Sequence, residues 1–533
     1  MFAADPVLQL HRRARGSPSL IQRGGAGRTS PSINPPTNRR RHRPTPMDEP
    51  EREQGTCRDG RDGAAPQQPQ PQEQQEAEDL VRLLPDDALA AALRRLAPRD
   101  LAAARCVRRA WCALVDERRL LRPRLLPRAV AGVFVNFNNF ASWEFFARPT
   151  AGPAVSGELA FVPAQRDGAC YVQDHCNGLL LCYHCVVNPA TRRWAPVPPR
   201  PTSRNDCKNS YFYHNEYLVF DPAMSPHYEL FSIPRIIHKS RPGDVLYRHI
   251  DDELDPSIEG SEWPPSPWIL HVFSSKTGEW EERAFLREGE KMGNVSDMRK
   301  ALWMGQKRYA AYWHGALYVH CESEFVTKIS LSENKYQIIK PPVGIKVDMF
   351  RELYLGKSEN GVYCAFVDHL DQDCHLWVWI LKELCDQLEW VMFHRTNLGS
   401  ILACRKLDQQ IDGLWILRDI NSRRRRHSDE DDNEEAKVQE KFEWDSENDD
   451  VLQVEGNNED YDEYIDFLGF HPYKEVVYLS ESLRRGLAYH LKNSNVQYLG
   501  NLYPTNYGQI AGQHQLIRES FPCTPCWMGD CPP

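Results

Sequence analysis

Between about Gly132 and Ile510, the sequence consists of short apolar and aromatic runs that are separated by turn residues. Runs of this length, bounded by turn signals and with little helical periodicity, are typical of β-strands connected by tight turns. The pattern covers most of the chain. It predicts an all-β domain over residues 132–510.

The clearest repeat unit begins at Asn177-Gly178, continues as an apolar run to Cys182 and ends at Trp194. The Asn-Pro-Ala-Thr sequence at 188–191 favours a turn, because Asx side chains and proline both stabilise a bend. The two-strand plan recurs at residues 217–233, 268–280, 314–342, 360–390 and 465–499. Grouped pairwise, these units have about the length of kelch-like propeller blades. We therefore expect a β-propeller, preferably with six blades, and keep a pair of two-sheet β-sandwiches as the alternative.

Residues 84–121 show a different pattern, in which apolar residues recur at helical spacing. Pro85, followed by Asp86 and Asp87, marks a helix start, because proline fits the first turn and acidic side chains favour the helix dipole there. The i, i+3, i+4, i+7 positions of this helix are apolar: Leu89, Ala92, Leu93 and Leu96. Pro98 is expected to end it, and two more short amphipathic helices follow. Because so small a unit rarely stabilises itself alone, we expect its apolar surface to dock on a partner.

In order and spacing, this segment resembles an F-box, and the predicted F-box domain is 81–122. The matching residues are Leu84, Pro85, Asp86, Asp87, Leu93, Leu96, Pro98, Leu101, Val107 and Trp111. In F-box proteins, the motif binds the Skp-type adaptor of a cullin-RING (SCF-type) ubiquitin ligase, and the rest of the chain captures the protein to be ubiquitylated. The resemblance implies the same partners here: a Skp-type adaptor, a cullin scaffold reached through it, and an unknown protein substrate.

The resemblance also implies which side chains contact the adaptor: Leu84, Pro85, Leu89, Leu93, Leu101, Val107 and Trp111. This chain departs from the family pattern by having alanine at 90–92 and 102–104, where bulkier apolar residues are common. The departure implies a weaker interface. The alternative interpretation is an ordinary helical hairpin that packs on the chain's own downstream domain.

The repeat unit from Asn177 to Trp194 carries a second resemblance, to the F-box-associated propeller region of plant-type F-box proteins. Propellers gather their loops on one face, which suits them to recognition, so the resemblance implies substrate capture there. The candidate segments are residues 263–268 and 209–214, since aromatic residues commonly anchor interfaces. Packing of these residues between blades is the alternative for both.

Residues 1–80 are rich in Arg, Pro, Ser, Gly and Gln and cannot bury enough apolar surface to offset the entropy of an ordered chain. We predict a disordered tail that is first basic, with nine arginines in the first 46 residues, and then Gln/Pro-rich. The arginines at 39–41 and 43 are a candidate nuclear localisation signal, with a solvated tail as the alternative. Met47 begins a more acidic stretch and is a second candidate start.

Residues 422–462 are predicted to form an acidic, disordered insertion in the last repeat. Eighteen carboxylates occur between Asp429 and Asp466, and their repulsion favours an extended, solvated loop. Ser428 lies between four arginines and four acidic residues, which makes it a candidate phosphorylation site whose phosphate would pair with the arginines. Nucleic-acid binding is not expected, because the acidic residues largely cancel the field of the arginines.

Sixteen cysteines at irregular spacing, many of them in apolar runs, indicate reduced, partly buried thiols. No apolar run is long enough to span a membrane and no secretory signal is visible, so we expect a cytoplasmic or nuclear protein without membrane contact.

Five candidate metal ligands lie close together in sequence: His175, Cys176, Cys182, His184 and Cys185. Strand alternation would separate Cys182 and His184 from Cys185, so no metal site is predicted. Cys523 and Cys526 form a C-x-x-C pair with Cys531 nearby, but no fourth ligand or second pair accompanies them. Residues 511–533 are predicted to form a C-terminal tail.

Enzyme signatures are missing from the sequence. Gly356-Lys357-Ser358 has the ending of a phosphate-binding loop, but Arg351 stands where the first glycine of that motif is required. No nucleophile elbow, zinc-protease helix or dinucleotide fingerprint occurs. We therefore predict no catalytic residue, cofactor or metal. Together with this, the F-box resemblance implies a non-catalytic substrate-recognition subunit of an SCF-type ligase. A ligase-independent scaffold is the alternative, whereas a kelch-type oxidase would need Tyr, His and Cys copper ligands that the order and spacing do not indicate.

Overall fold

Antiparallel hairpins with tight turns account for most of the described structure. A computed structural model describes these residues: 84–96, 98–105, 107–118, 120, 129–140, 142–149, 155, 157, 161–162, 171–201, 212–237, 254–300, 309–343, 353–369, 374–384, 387–403, 414–418 and 463–527. Strand is the main secondary structure among them, which confirms the prediction of an all-β domain. The described part contains no helix that is both long enough and apolar enough to cross a membrane.

The helices of the described residues are all short. They are α1 (Asp86–Leu93), α2 (Pro98–Arg105), α3 (Arg109–Glu117), α4 (Pro256–Glu259), α5 (Val295–Lys300), α6 (Leu398–Ala403) and α7 (Tyr507–Ala511). Pro98 begins α2 and does not end α1, which stops at Leu93, because proline is favoured in the first turn of a helix. Asp87 of α1 accepts a hydrogen bond from Arg118, just after α3, at 2.9 Å. Both side chains are exposed, so the pair adds little stability.

The strands follow one another in short succession along the chain. The first twelve are β1 (Gly132–Phe137), β2 (Glu144–Ala147), β3 (Val172–Cys176), β4 (Leu179–Cys182), β5 (Cys185–Asn188), β6 (Arg193–Pro196), β7 (Phe212–Val219), β8 (Glu229–Ile236), β9 (Glu262–Trp263), β10 (Trp268–Ser274), β11 (Glu279–Glu288) and β12 (Gly293–Asn294). The others are β13 (Ala310–Trp313), β14 (Ala316–His320), β15 (Val326–Ser330), β16 (Lys335–Ile339), β17 (Leu353–Ser358), β18 (Gly361–Asp368), β19 (His375–Leu384), β20 (Gln387–Asn397), β21 (Ile416–Arg418), β22 (Ile465–Phe470), β23 (Val476–Glu481), β24 (Arg485–His490), β25 (Val496–Asn501) and β26 (Ile517–Cys523).

Four antiparallel strands form the repeating unit of the β domain. Sheets β3–β6, β17–β20 and β22–β25 have this form, with neighbouring strands paired in chain order. An eight-stranded sheet contains two further units, one formed by β7, β8, β10 and β11 and the other by β13–β16. These halves join where residues 286–288 pair in parallel with residues 335–337. The short strands β9 and β12 pair only with each other among the described residues.

The first sheet joins the two ends of the β domain, in the order β21-β2-β1-β26. β26 pairs antiparallel with β1, from Gly132 opposite Cys523 to Phe137 opposite Ile517. The prediction of a C-terminal tail over 511–533 is therefore wrong for this strand, and Cys523 is only 1% exposed. Local patterning could not reveal the pairing, because the sequence of β26 has no continuous apolar run and its partner lies at the other end of the domain.

One edge strand of each four-stranded group, which we call its inner strand, lies against the inner strands of neighbouring groups; the inner strands are β3, β7, β13, β17, β22 and β26. β3 contacts β26 and β7, β17 contacts β13 and β22, and β22 contacts β26. Buried apolar clusters fill the space between neighbouring sheets. One cluster combines Tyr363 and Val378 of the β17–β20 sheet with Phe467 and Leu487 of the β22–β25 sheet. The sheets are therefore packed face to face around the place where their inner strands meet.

The turn between β3 and β4 shows how the sequence specifies these hairpins. Asn177 and Gly178 have φ angles of 47° and 90°, as a two-residue hairpin turn of the Asn-Gly type requires. Gly178 is also needed for close packing, since a Cβ atom there would lie 2.6 Å from the carbonyl oxygen of Thr524. The turn thus fixes both the β3–β4 register and the approach of the segment that follows β26.

Candidate functional site

The seven residues of the predicted adaptor interface occupy different environments. Leu93 and Leu101 are buried, and Leu101 has 0% exposure. Leu89 and Trp111 are partly buried. Leu84, Pro85 and Val107 are exposed, with 45% exposure for Leu84 and 61% for Val107. Contact with an adaptor stays a prediction for all seven.

The buried face of the helices belongs to a core that extends into the β domain. Leu101, Leu114 and Val115 are in the same apolar cluster as Leu179 and Leu181 of β4. The helical unit, α1 to α3, therefore shares an apolar core with β4 of its own downstream domain. A partner can reach only the helical surface that this packing leaves uncovered.

The predicted substrate-binding segments contribute to the core where the structure describes them. Trp263 and Trp268 are both buried, with their ring centroids 6.5 Å apart, and Phe212 stacks on Trp263. The packing interpretation of residues 263–268 is therefore confirmed for these two side chains. Residues 209–211, the tail over 1–80, the acidic insertion at 422–462 and Ser428 lie outside the described residues.

The cysteine-rich hairpin differs from the predicted alternation. Cys182 ends β4, Tyr183 and His184 form the turn, and Cys185 begins β5 opposite Cys182. The prediction that Cys182 and Cys185 point to opposite faces is wrong, because the chain reverses direction between them. Within the described residues, no group of three or more His, Cys, Asp or Glu side chains is arranged to hold a metal ion.

The described cysteines form no disulfide bonds with one another. Eight of the nine are buried, and Cys112 is partly exposed. They therefore pack as small apolar side chains.

A partly enclosed cavity lies where the inner strands of the sheets meet. Its wall is formed by residues of β3, β13, β17, β22 and β26 and of the turns beside them. It contains about 870 Å³ of empty space, part of which is open to solvent. The side chains that give it polar character include Asp174, His175, Lys357 and Glu519. We call it the central cavity.

Asp174 of β3 connects this strand to β7. Its carboxylate accepts a hydrogen bond from the backbone amide of Leu218 at 2.7 Å. Burial raises the pKa of Asp174 to about 7, although the amides of Leu218 and His175 stabilise its charged form; the nearby Glu519 adds to the rise. The carboxyl group is therefore partly protonated near neutral pH.

Lys357 of β17 reaches across the central cavity to the β3–β4 turn. Its Nζ atom donates a hydrogen bond to Oδ1 of Asn177 at 2.6 Å, and Nδ2 of Asn177 donates to the carbonyl of Phe220 at 2.6 Å. Burial lowers the pKa of Lys357 below its usual range, while Cys176 and Asp221 oppose the shift. The amide of Asn177 thus fixes the position of the ammonium group without neutralising it.

His175 and Cys176 flank this lysine on β3. Burial and the positive charge of Lys357 lower the pKa of His175 to about 4, so its ring is neutral at physiological pH. Burial raises the pKa of Cys176 to about 11, and its Sγ donates to the carbonyl of Phe220 at 3.3 Å. Cys176 is therefore a protonated thiol and not a nucleophile.

Aromatic side chains supply the apolar part of the cavity wall. Tyr354 and Phe467 have ring centroids 4.7 Å apart, and Phe467 and Phe470 are 5.0 Å apart. Phe521 of β26 contacts the ring of His175 edge-on at 5.5 Å. The central cavity therefore combines the ammonium group of Lys357, the neutral imidazole of His175, the carboxyl groups of Asp174 and Glu519, and several aromatic rings.

Sequence reasoning did not find this site. It considered Lys357 only as part of a failed phosphate loop, and His175 and Cys176 only as metal ligands. The sequence feature that could have revealed the site is the Asp174-His175 pair inside an otherwise apolar repeat. Two polar residues on a buried strand indicate either a cavity that they line or a buried hydrogen-bond network. No pattern indicated that β17, β22 and β26 complete the wall.

No protein-family model matches the chain, and no curated protein matches its sequence.

Proposed function

We propose that this chain is a non-catalytic substrate-recognition subunit of an SCF-type ubiquitin ligase, acting in the cytoplasm or the nucleus. In this proposal the helical unit binds a Skp-type adaptor and the β domain captures a protein target. The observation that carries it is the helical unit itself: three short helices with the proline, leucine and tryptophan order of an F-box, in which Val107 is left 61% exposed. A large exposed aliphatic residue on so short a unit is suited to contact with a partner.

The buried and exposed residues would then have separate tasks. Leu93 and Leu101 hold the helices together and onto the β domain. Val107, with the partly buried Leu89 and Trp111, would contact the adaptor, and the exposed Leu84 and Pro85 would add to the contact as the F-box resemblance implies.

We propose further that the β domain is a six-bladed β-propeller. Six four-stranded antiparallel groups within the described residues support this, as do the contacts between their inner strands. The pairing of β26 with β1 supports it too, because a ring of sheets is closed when strands from both ends of the domain share one sheet. A rigid ring of this kind would present its loops as a platform for a protein target.

In this proposal the chain acts by holding its target close to the ubiquitin carrier and does not itself make or break a covalent bond. A target held by the β domain would be near a ubiquitin carrier that the cullin scaffold brings, so its lysines would experience a high effective concentration of the carrier. No side chain of this chain would need to transfer a proton or form a covalent intermediate.

The test is co-purification of the full-length chain with a Skp-type adaptor, alone and with a cullin scaffold. Val107→Asp should weaken adaptor binding by at least about tenfold, because it places a charge in an apolar contact. Leu84→Asp should act in the same direction. Val343→Asp is the matched control, since Val343 is also exposed but lies far from the helices in sequence, and it should bind as the unchanged chain does.

Two results would overturn the proposal. One is a folded, unchanged chain that does not bind any Skp-type adaptor tested. The other is equal binding by the Val107→Asp and Val343→Asp variants, which would mean that the predicted surface is not the contact.

A second function is favoured by one observation, the apolar cluster that joins the helices to β4. If the helical unit only completes the core of the β domain, the chain would be a ligase-independent scaffold that links two proteins. Failure of adaptor binding, together with loss of stability when the helices are deleted, is the result that this function predicts.

A further inference from the structure

Within the part of the chain that the structure describes, the ammonium group of Lys357 in the central cavity has no carboxylate counter-ion. Among the described residues, the only hydrogen-bond partner of Lys357 is Oδ1 of Asn177, and no carboxylate forms an ion pair with its ammonium group. An ammonium group has three donors, so two remain for a ligand. Asp221 influences Lys357 only from beyond ion-pair distance. A partly buried, positioned and unpaired ammonium group is suited to bind an anion.

His175 provides a second donor at the same place. Its ring has no hydrogen-bond partner among the described residues, and its one ring contact is with Phe521. Like Lys357, His175 lines the central cavity. A neutral imidazole has one N–H donor, so the pair can bind two oxygen atoms of one carboxylate.

The carboxylates of the cavity already have donors of their own. Asp174 accepts from the amide of Leu218 at 2.7 Å, and Glu519 accepts from Nδ2 of Asn136 at 3.0 Å. Neither is paired with Lys357. They would nevertheless repel a dianion, which disfavours inorganic phosphate relative to a ligand with one negative charge.

The apolar wall indicates the rest of the ligand. Phe467, Phe470, Phe521 and Tyr354 line the same cavity as Lys357. Aromatic faces and edges favour a flat ring at stacked or edge-on geometry. Gly356, next to Lys357, allows β17 to pack close to the ring of Phe470, because a Cβ atom at this position would lie 2.6 Å from that ring.

We propose that the central cavity binds a small aromatic carboxylate, with the carboxylate on Lys357 and His175 and the ring against Phe467, Phe470 and Phe521. This proposal does not depend on the adaptor function, because it concerns residues of β3, β17, β22 and β26 and none of the helices. Its failure would leave the proposed F-box interface untouched.

The test uses the full-length chain and sodium benzoate as the probe, with binding followed by calorimetry. The unchanged chain should bind one benzoate with saturation. Benzamide has the same ring and no charge, and acetate has the charge and no ring, so each should bind at least about tenfold more weakly. Inorganic phosphate should not compete.

Substitutions test whether benzoate binds in the central cavity or only responds to the charge of the protein. Lys357→Met removes the ammonium group but keeps an unbranched side chain, and it should weaken benzoate binding by about tenfold or more. Lys382→Met is the matched control, because Lys382 is exposed on β19, and it should bind benzoate normally. His175→Gln should weaken binding less, since an amide can still donate. Thermal unfolding of each variant shows whether it is folded.

Three results would overturn the proposal. They are no saturable benzoate binding by the unchanged chain up to millimolar concentration, equal affinity for benzoate and benzamide, or normal benzoate binding by folded Lys357→Met. Preference for phosphate over benzoate would likewise replace the aromatic carboxylate with an inorganic anion as the ligand.

Discussion

The helical unit and the central cavity differ in how their residues are distributed along the chain. The helical unit is formed by about 35 consecutive residues, so its proline, leucine and tryptophan order is visible in the sequence. The central cavity is formed by five strands that begin at Val172 and end at Cys523. A motif of consecutive residues can therefore suggest a binding partner before the structure is known. A site formed by distant strands can be recognised only in the structure, because no sequence motif marks it.

The largest expected effect concerns the distant site. Removing residues 517–533 deletes β26, which supplies Glu519 and Phe521 to the cavity wall and completes the first sheet. We expect the free energy of unfolding to fall by an amount on the order of 5 kcal/mol or more, which is comparable with the stability of a whole domain. The truncated chain should therefore show no cooperative unfolding transition. Circular dichroism during thermal unfolding measures it.

The control for this truncation is removal of residues 528–533, which leaves β26 intact. It should unfold as the full chain does. If the two truncations behaved alike, β26 would not be needed to close the first sheet, and the contrast between a local and a distant site would be lost.

The next effect separates folding from partner contact within the helical unit. Leu101→Ala should lower the free energy of unfolding by about 2–4 kcal/mol, because it leaves a cavity at a fully buried position. Val107→Ala should change it by less than about 0.5 kcal/mol, since Val107 is mostly exposed. Urea unfolding measures both. Equal effects at the two positions would contradict the division into buried and partner-facing residues.

A smaller effect tests the β3–β4 turn. Gly178→Ala should lower the free energy of unfolding by about 1–3 kcal/mol because of the strained φ angle alone. The clash of the added Cβ atom with the carbonyl of Thr524 should lower it further. Gly278 is the matched control, because its φ is 73° and nothing lies within 4 Å of the added Cβ. Chemical unfolding should show a larger loss for Gly178→Ala. Equal losses would mean that the close approach of residues 524–526 is readily relieved.

The smallest effect is a pH dependence at Asp174. Because its folded pKa is about 7 and its ordinary value is 3.8, the folded state binds more protons than the unfolded state between these values, and stability falls as pH rises. Asp174→Asn removes this titration. From about pH 6 to about pH 7, the unfolding free energy of the unchanged chain should fall by about 1 kcal/mol relative to the variant. A constant difference across this range would contradict the raised pKa.

The sequence predicted the local parts of the fold well. The Asn177-Gly178 turn and the apolar runs of β4, β10, β14, β18 and β23 follow from short-range turn chemistry and burial. It missed the inner strands β3 and β13, because residues that line a cavity are not uniformly apolar. It also missed β26, whose pairing with β1 depends on contact between the two ends of the domain.

The site was less predictable than the fold for the same reason. Val107 and Trp111 could be assigned to an interface from their spacing, but whether they are covered depends on how the helices pack against β4. The role of Lys357 depends on Asn177, a residue 180 positions earlier. Only the folded chain brings such pairs together.

The pairing of β1 with β26 also determines when the protein can complete its fold during synthesis. β1 and β2 leave the ribosome early, yet the partner of β1 is the last described strand of the chain. Until that strand emerges, one backbone edge of β1 is open to mispairing with other strands. Completion of the first sheet, and with it the wall of the central cavity, therefore waits for the synthesis of β26.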